Sequence, residues 1–222
     1  MSKLKRNLIA AAVLLAGFAA AFGSYLLLAP DSRGSGGLDV QPAAEAMPVR
    51  GDSHRLTAPK KSELTIVEFL DFECEGCGAM YPVVEKLREE YGDRVTFVAR
   101  YFPMPGHRNG ELAARTAQAA AQQGEFEAMY NRLFTTQEEW GESQESKQDV
   151  FRGYAKELGL DMRKFDAALA DPDVATRVRN DQSDGLGLGV QGTPTFFLDG
   201  TKIATPTSYE AFKALIHARL SG

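Results

Sequence analysis

The sequence is poor in the residues that build metal centres. Its 222 residues include two cysteines, three histidines and one tryptophan. Structural zinc takes four Cys or His ligands. Beyond Cys74 and Cys77 only His54, His107 and His217 are available, none paired in sequence, so no metal site is expected. An excess of positive charge is also missing. Lys and Arg number 25 against 30 Asp and Glu, a net charge of −5. That balance is a poor match for nucleic acid, which rewards clustered Lys and Arg. There is no internal repeat. No cysteine lies near the N-terminus, which excludes a lipid anchor attached through a thiol.

Long apolar runs are confined to one place. Residues 8–29, LIAAAVLLAGFAAAFGSYLLLA, carry no charge and follow the basic cluster Lys3, Lys5 and Arg6. As a helix they rise about 33 Å, enough to cross a bilayer core. The basic flank belongs in the cytoplasm, so residues 1–30 read as a single-pass anchor with the rest of the chain outside. The alternative is a signal peptide cleaved after Ala19–Ala21, releasing a secreted protein; the apolar run continues past that point and favours the anchor. Either way, the bulk of the chain lies where disulfide chemistry is permitted. Residues 31–59, rich in Gly, Ser, Pro and charge, read as a flexible tether. The folded domain is expected over residues 60–222.

Within it, residues 63–72 (ELTIVEFLDF) read as a buried strand, and a helix runs from Cys74 to about Tyr91. Pro82 inside that helix removes a hydrogen bond and is expected to kink it near Gly78. Residues 94–102 form the next strand, completing a βαβ unit and hence a parallel pair. Residues 109–188 read as almost wholly helical. Residues 193–204 form a hairpin around Asp199-Gly200, a strong turn signal. Residues 208–220 form a closing helix with Ser208 as N-cap. Trp140, Phe126, Phe134 and Phe151 are candidates for the core of the helical block. Glu138, Glu139 and Glu142 read as a solvated face.

Both thiols fall in VEFLDFECEGC. Closing so small a loop removes little unfolded-state entropy, so a purely structural disulfide is a weak reading. A Cys74–Cys77 bond that breaks and reforms fits better. Cys74 stands where strand gives way to helix, facing free N–H groups and the positive end of the dipole, which favours thiolate. Cys77, one turn on, is less exposed. This makes Cys74 the nucleophile and Cys77 the resolving thiol.

These residues resemble the active-site strand and helix of the thioredoxin fold, and GTPTFFLDG (192–200) resembles its cis-proline strand and hairpin. The helical block at 109–188 is similar to the insertion of the disulfide-bond oxidoreductase A (DsbA) family, particularly its membrane-tethered Gram-positive members. The resemblance spans about residues 60–221. It implies an α/β thioredoxin fold with a helical insertion and an enzyme needing no cofactor. Such an enzyme introduces disulfides into reduced exported proteins. A membrane quinone-linked partner, DsbB-like or vitamin-K-epoxide-reductase-like, reoxidises it. A disulfide reductase or isomerase is the alternative, and a peptide-binding holdase a further one.

The resemblance also implies roles for single residues. Glu68 is the buried acid beneath the thiols, its pKa raised by desolvation so that it exchanges protons with Cys77. An outward-facing Glu68 in a surface pair is the alternative, since Val67 and Phe69 beside it are apolar. Pro194 is the cis-proline, and Thr193 before it contacts substrate backbone and tunes the thiols. Glu75 and Gly76 occupy the dipeptide where the strongest oxidants of the family carry a His. Glu75 opposes thiolate by like charge, so the Cys74 pKa is expected below a free thiol's and above those oxidants'. His107 reads as a loop or cap residue.

Overall fold

The computed structural model describes residues 45–221. The anchor expected over residues 1–30, and the tether as far as residue 44, lie outside the described residues. Among the described residues no helix is long and apolar enough to cross a membrane.

The strands are β1 (His54–Arg55), β2 (Leu64–Leu70), β3 (Val95–Tyr101), β4 (Thr195–Leu198) and β5 (Thr201–Lys202). They form one sheet in the order β1-β3-β2-β4-β5. β2 and β3 pair in parallel from Leu64↔Val95 to Leu70↔Tyr101, as a βαβ crossover requires. β4 lies antiparallel on the other edge of β2. The crossover helix is α1 (Glu75–Tyr91), which runs through Pro82 in a single segment. The insertion comprises α2 (Gly110–Ala121), α3 (Phe126–Thr135), α4 (Gln137–Trp140), α5 (Gln148–Glu157), α6 (Met162–Ala170) and α7 (Pro172–Gly187). After the β4–β5 hairpin, α8 (Tyr209–Leu220) closes the domain. At the hairpin both Asp199 (φ 44°) and Gly200 (φ 77°) are left-handed, the conformation a two-residue turn demands.

Alternation along β2 sorts its side chains. Ile66 and Leu70, with Phe72 just beyond the strand, join α1, α8 and the insertion in the main core, while Val67 and Phe69 join Val98, Phe102, Val190 and Phe197 on the opposite face. The insertion closes over its own centre. Trp140 is fully buried, meets Phe151 edge-on at 4.8 Å between centroids, and donates Nε1–H to Leu133 O at 3.2 Å. Ala113, Ala117 and Ala120 form the buried stripe of α2, and their small side chains let neighbouring helices approach closely. Glu138, Glu139 and Glu142 are exposed.

The expected tether is corrected over residues 45–59. This stretch is folded onto the domain: β1 pairs antiparallel with β3, Leu56 is buried, and Arg50 clasps Asp184 at 2.5 Å from Nε to Oδ2. Fully buried Arg100 binds Asp181 and Asp184 at 2.6 Å each and donates to the Met47 and Pro48 carbonyls. A two-residue edge strand and ion pairs leave no apolar period, so composition alone resembles a linker.

Ser208 Oγ accepts the Ala211 N–H at 3.1 Å, the cap contact expected for α8. Ser208→Ala should cost about 1 kcal/mol in denaturant unfolding, without changing thiol reactivity.

Candidate active site

β2 delivers its C-terminal residues to the start of α1, where the two thiols sit. Cys74 is the N-cap of α1 (φ −72°, ψ 120°), and no side-chain oxygen caps the helix. Its sulfur therefore stands where a cap oxygen would, in front of the first amides. Those of Gly76 and Cys77 favour its charged form. Cys74 is half-buried, while Cys77, on the inward side of the first turn, has no exposure. Both are free thiols.

The environment drives the two sulfurs apart. The hydrogen bond from Cys77 is the strongest influence on Cys74. Partial burial opposes ionisation, but Thr193 and the two amides add to the Cys77 bond, and the Cys74 pKa falls to about 5. Cys77 is pushed well above an ordinary thiol, first by burial, then by the hydrogen bond it gives Cys74 and by the charges of Glu68 and Cys74. One thiol is a thiolate at neutral pH and the other holds its proton.

Thr193 and Pro194 reach this pair across 119 residues of sequence. The Thr193-Pro194 bond is cis, and Thr193 O lies 3.3 Å from Cys74 Sγ. The Thr193 hydroxyl is buried and has no hydrogen-bond partner among the described residues, leaving it free to donate to a thiolate at Cys74. Gly76 makes the approach possible: a Cβ there would stand 3.3 Å from Pro194 Cδ and 3.6 Å from Cys74 Sγ. Gly76→Val should press its methyls into Pro194 and slow thiol–disulfide exchange about tenfold or more, with little change in melting temperature. Stopped-flow exchange with a disulfide dye and a thermal melt measure the two effects. Glu75 is exposed, and the strongest influences on Cys74 come from other groups.

Glu68 lies inside, 5% exposed, on the α1 side of the sheet between Ile66 and Leu70. The surface-pair alternative does not occur. Its cross-strand neighbours are Ala99 and Phe196, so neither supplies a cation. Burial, then the charges of Glu85 and Cys74, raise its pKa to about 8.

Four polar residues that the sequence reading did not single out hold the site together. Gln137 Nε2 donates to Phe72 O at 2.6 Å and Cys74 O at 2.9 Å, pinning the helix start from the insertion. Glu73 is buried and accepts the Asn109 N–H at 2.5 Å. Asn109 in turn donates to Ser143 O and Glu145 O and accepts from Lys147 N–H. Asp71 is buried and accepts from Glu73 N–H, Met104 N–H and the His107 ring. A polar residue inside the apolar run FLDF was the one signal available for Asp71; the others had none.

Known proteins share the family and the fold. The family model described as "Thioredoxin" matches residues 55–218. The chain is 34% identical over 175 residues to the Na(+)/H(+) antiporter NhaA of Herminiimonas arsenicoxydans, covering 79% of this chain and 27% of that protein. It thus spans about a quarter of the curated relatives it matches. Among solved structures, alpha-DsbA1 of Wolbachia pipientis superposes with a TM-score of 0.69 at 20% identity, covering 78% of this chain and 93% of that one. Oxidised BdbD of Bacillus subtilis superposes with a TM-score of 0.68 at 20% identity, covering 80% and 98%.

Proposed function

The chain belongs to the thioredoxin family, with the fold of its DsbA-like members, and on that premise we propose that it is an extracytoplasmic thiol–disulfide oxidoreductase that introduces disulfides into exported proteins. The observation that carries the reading is the split between the two thiols: Cys74 is held near pKa 5, while Cys77 stays protonated. A stabilised thiolate stabilises the dithiol form, which makes the corresponding disulfide an oxidant. The value lies between the approximate 7 of a thioredoxin and 3.5 of DsbA.

In the oxidising direction the starting form carries a Cys74–Cys77 bond. A substrate thiolate attacks Cys74 Sγ and forms a mixed disulfide, while the electron pair of the broken bond leaves on Cys77. Cys77 has too high a proton affinity to depart as a bare thiolate, and Glu68, which holds a proton near neutral pH, supplies one. A second substrate thiolate then attacks the substrate sulfur of the mixed disulfide. Cys74 leaves readily because its thiolate is stable. The substrate loses two electrons, and the enzyme gains them as a dithiol. Restoring the disulfide requires an electron acceptor. A membrane quinone-linked partner, DsbB-like or vitamin-K-epoxide-reductase-like, fits an anchor at residues 1–30 that keeps the domain near the bilayer. The matched antiporter relatives are far longer, and ion exchange forms no part of this reading.

The partly exposed backbone around cis-Pro194 offers an extended, unfolded segment a place to pair beside Cys74. Acid trapping of thiols in cells, followed by alkylation, tests the direction. Mostly disulfide at Cys74–Cys77 is expected; mostly dithiol would identify a reductase or isomerase instead. In the purified dithiol form, iodoacetamide should modify one thiol, Cys74, with a rate profile inflecting near pH 5. An inflection at an ordinary thiol value, about 8.5, would remove the basis of the reading.

A further inference from the structure

The loop between β3 and α2 carries a residue that this mechanism leaves idle. His107 has a side chain 32% exposed, and its Nδ1 lies 2.5 Å from Oδ2 of Asp71, whose side chain has no exposure. Asp71 reaches the nucleophile through its backbone: its carbonyl accepts the Cys74 N–H at 3.1 Å. Its carboxylate is boxed in, taking Glu73 N–H at 2.9 Å and Met104 N–H at 2.7 Å. A Cβ on Gly110, at the start of α2, would stand 2.7 Å from Oδ1. One buried carboxylate thus joins the imidazole to the start of α1, and the imidazole lies within electrostatic reach of the Cys74 sulfur.

A negative charge near a thiolate opposes it; buried Asp71 and Glu73 lie within three residues of Cys74, and the Glu75-Gly76 dipeptide carries no cation to offset them. We propose that His107 is a positioning residue for Cys74: its proton cancels the Asp71 charge at the start of α1, coupling His107 protonation to the redox state of the thiol pair. The proposal rests on the thiol chemistry above but not on its direction or its substrates.

The groups around the ring set the sign. From the turn between β2 and α1 it faces Asp71, Glu73 and Cys74; Arg108 and Glu111 flank it, and Arg179 of α7 lines the same cleft. Burial disfavours the charged ring. The hydrogen bond to Asp71 and the charges of Asp71, Cys74 and Glu73 outweigh that, and its pKa is raised above an ordinary histidine's. If the thiolate raises the proton affinity of His107, the protonated ring favours the thiolate by the same factor. Oxidation removes the thiolate and with it that share of the affinity.

The test starts with the unaltered protein. Histidine resonances followed against pH should show His107 binding its proton about threefold or more tightly in the dithiol form than in the disulfide form. Identical titration in both forms would overturn the proposal, and this measurement needs no variant to fold. His107→Gln should then raise the Cys74 inflection by a threefold to tenfold loss of thiolate stability. Its midpoint potential against glutathione should fall correspondingly, by about 15–30 mV. His107→Lys should restore both values. A folded Gln variant with wild-type reactivity and potential overturns the proposal, as does a Lys variant that behaves like Gln. No protein substrate enters these readouts. Intact coupling without disulfide transfer therefore sinks the functional reading alone, and transfer without coupling sinks this inference alone.

Discussion

Cys74→Ser should reduce disulfide transfer to a reduced unfolded protein to background, the largest effect expected of any single change in this chain. Cys74 is the one sulfur that substrate can reach, since Cys77 is fully buried. It is also the one held as thiolate, by Cys77, Thr193 and the first amides of α1. Serine keeps the size but presents an alcohol that neither ionises near neutral pH nor forms a disulfide. The fold should survive, because the N-cap position tolerates Ser well. Cys77→Ser should behave differently. It keeps the nucleophile but cannot form the Cys74–Cys77 bond, so it should lose oxidising transfer too. With a disulfide-bonded substrate it should trap a mixed disulfide on Cys74, visible on non-reducing gels, that no Cys77 thiolate releases. Residual transfer by Cys74→Ser would refute the nucleophile assignment. Suppression of aggregation that survives Cys74→Ser, in a protein that never oxidises substrate, would identify a holdase.

Glu68→Gln should slow the step in which Cys77 gains or loses its proton by about 10²-fold near pH 7, the usual scale for a lost general acid–base. Gln keeps the shape and removes the titrating group. The same substitution should stabilise the fold in a pH-dependent way, and the sign can be worked out. Glu68 has a folded pKa of about 8, raised from 4.5 by burial first and then by Glu85 and Cys74. Between those values the native state keeps a proton that the unfolded chain has released. Stability therefore falls as pH rises through the window, by about 1.4 kcal/mol per pH unit for this one group. Below pH 4 the variant and the wild type should unfold alike; by pH 8 the variant should be more stable by several kcal/mol. Chemical denaturation at pH 4, 6 and 8 measures the difference. A constant difference across that range would mean that Glu68 ionises normally. Unchanged exchange kinetics would mean that Cys77 finds its proton elsewhere.

Much of this molecule was written locally. Strand β2, helix α1 and strand β3 announced themselves through apolar period and turn residues. So did five of the six helices from Gly110 to Gly187, all but the four-residue α4, and the Asp199-Gly200 hairpin. Period and turn chemistry act within a few residues, so sequence alone expresses them. The two thiols were assigned from the same kind of information, a strand end followed by a helix start. Alternation along β2 left Glu68 undecided between solvent and core. The resemblance favoured the core, and packing of α1 over that face of the sheet decided it.

What only the tertiary structure decided lies in contacts between distant segments. Thr193 meets Cys74 across 119 residues, Gln137 pins Cys74 across 63, and His107 binds Asp71 across 36. Arg50 finds Asp184 across 134, turning part of an expected tether into folded structure. Hydrogen bonds and ion pairs of this kind need one polar atom at the right point in space and impose no period on the chain. The sequence by itself determined where the sulfurs stand on their helix. The tertiary structure set how far apart their proton affinities lie, by burying Cys77 and bringing Thr193 to Cys74, because a pKa answers to every charge, donor and buried surface within reach of the group, whatever its distance along the chain.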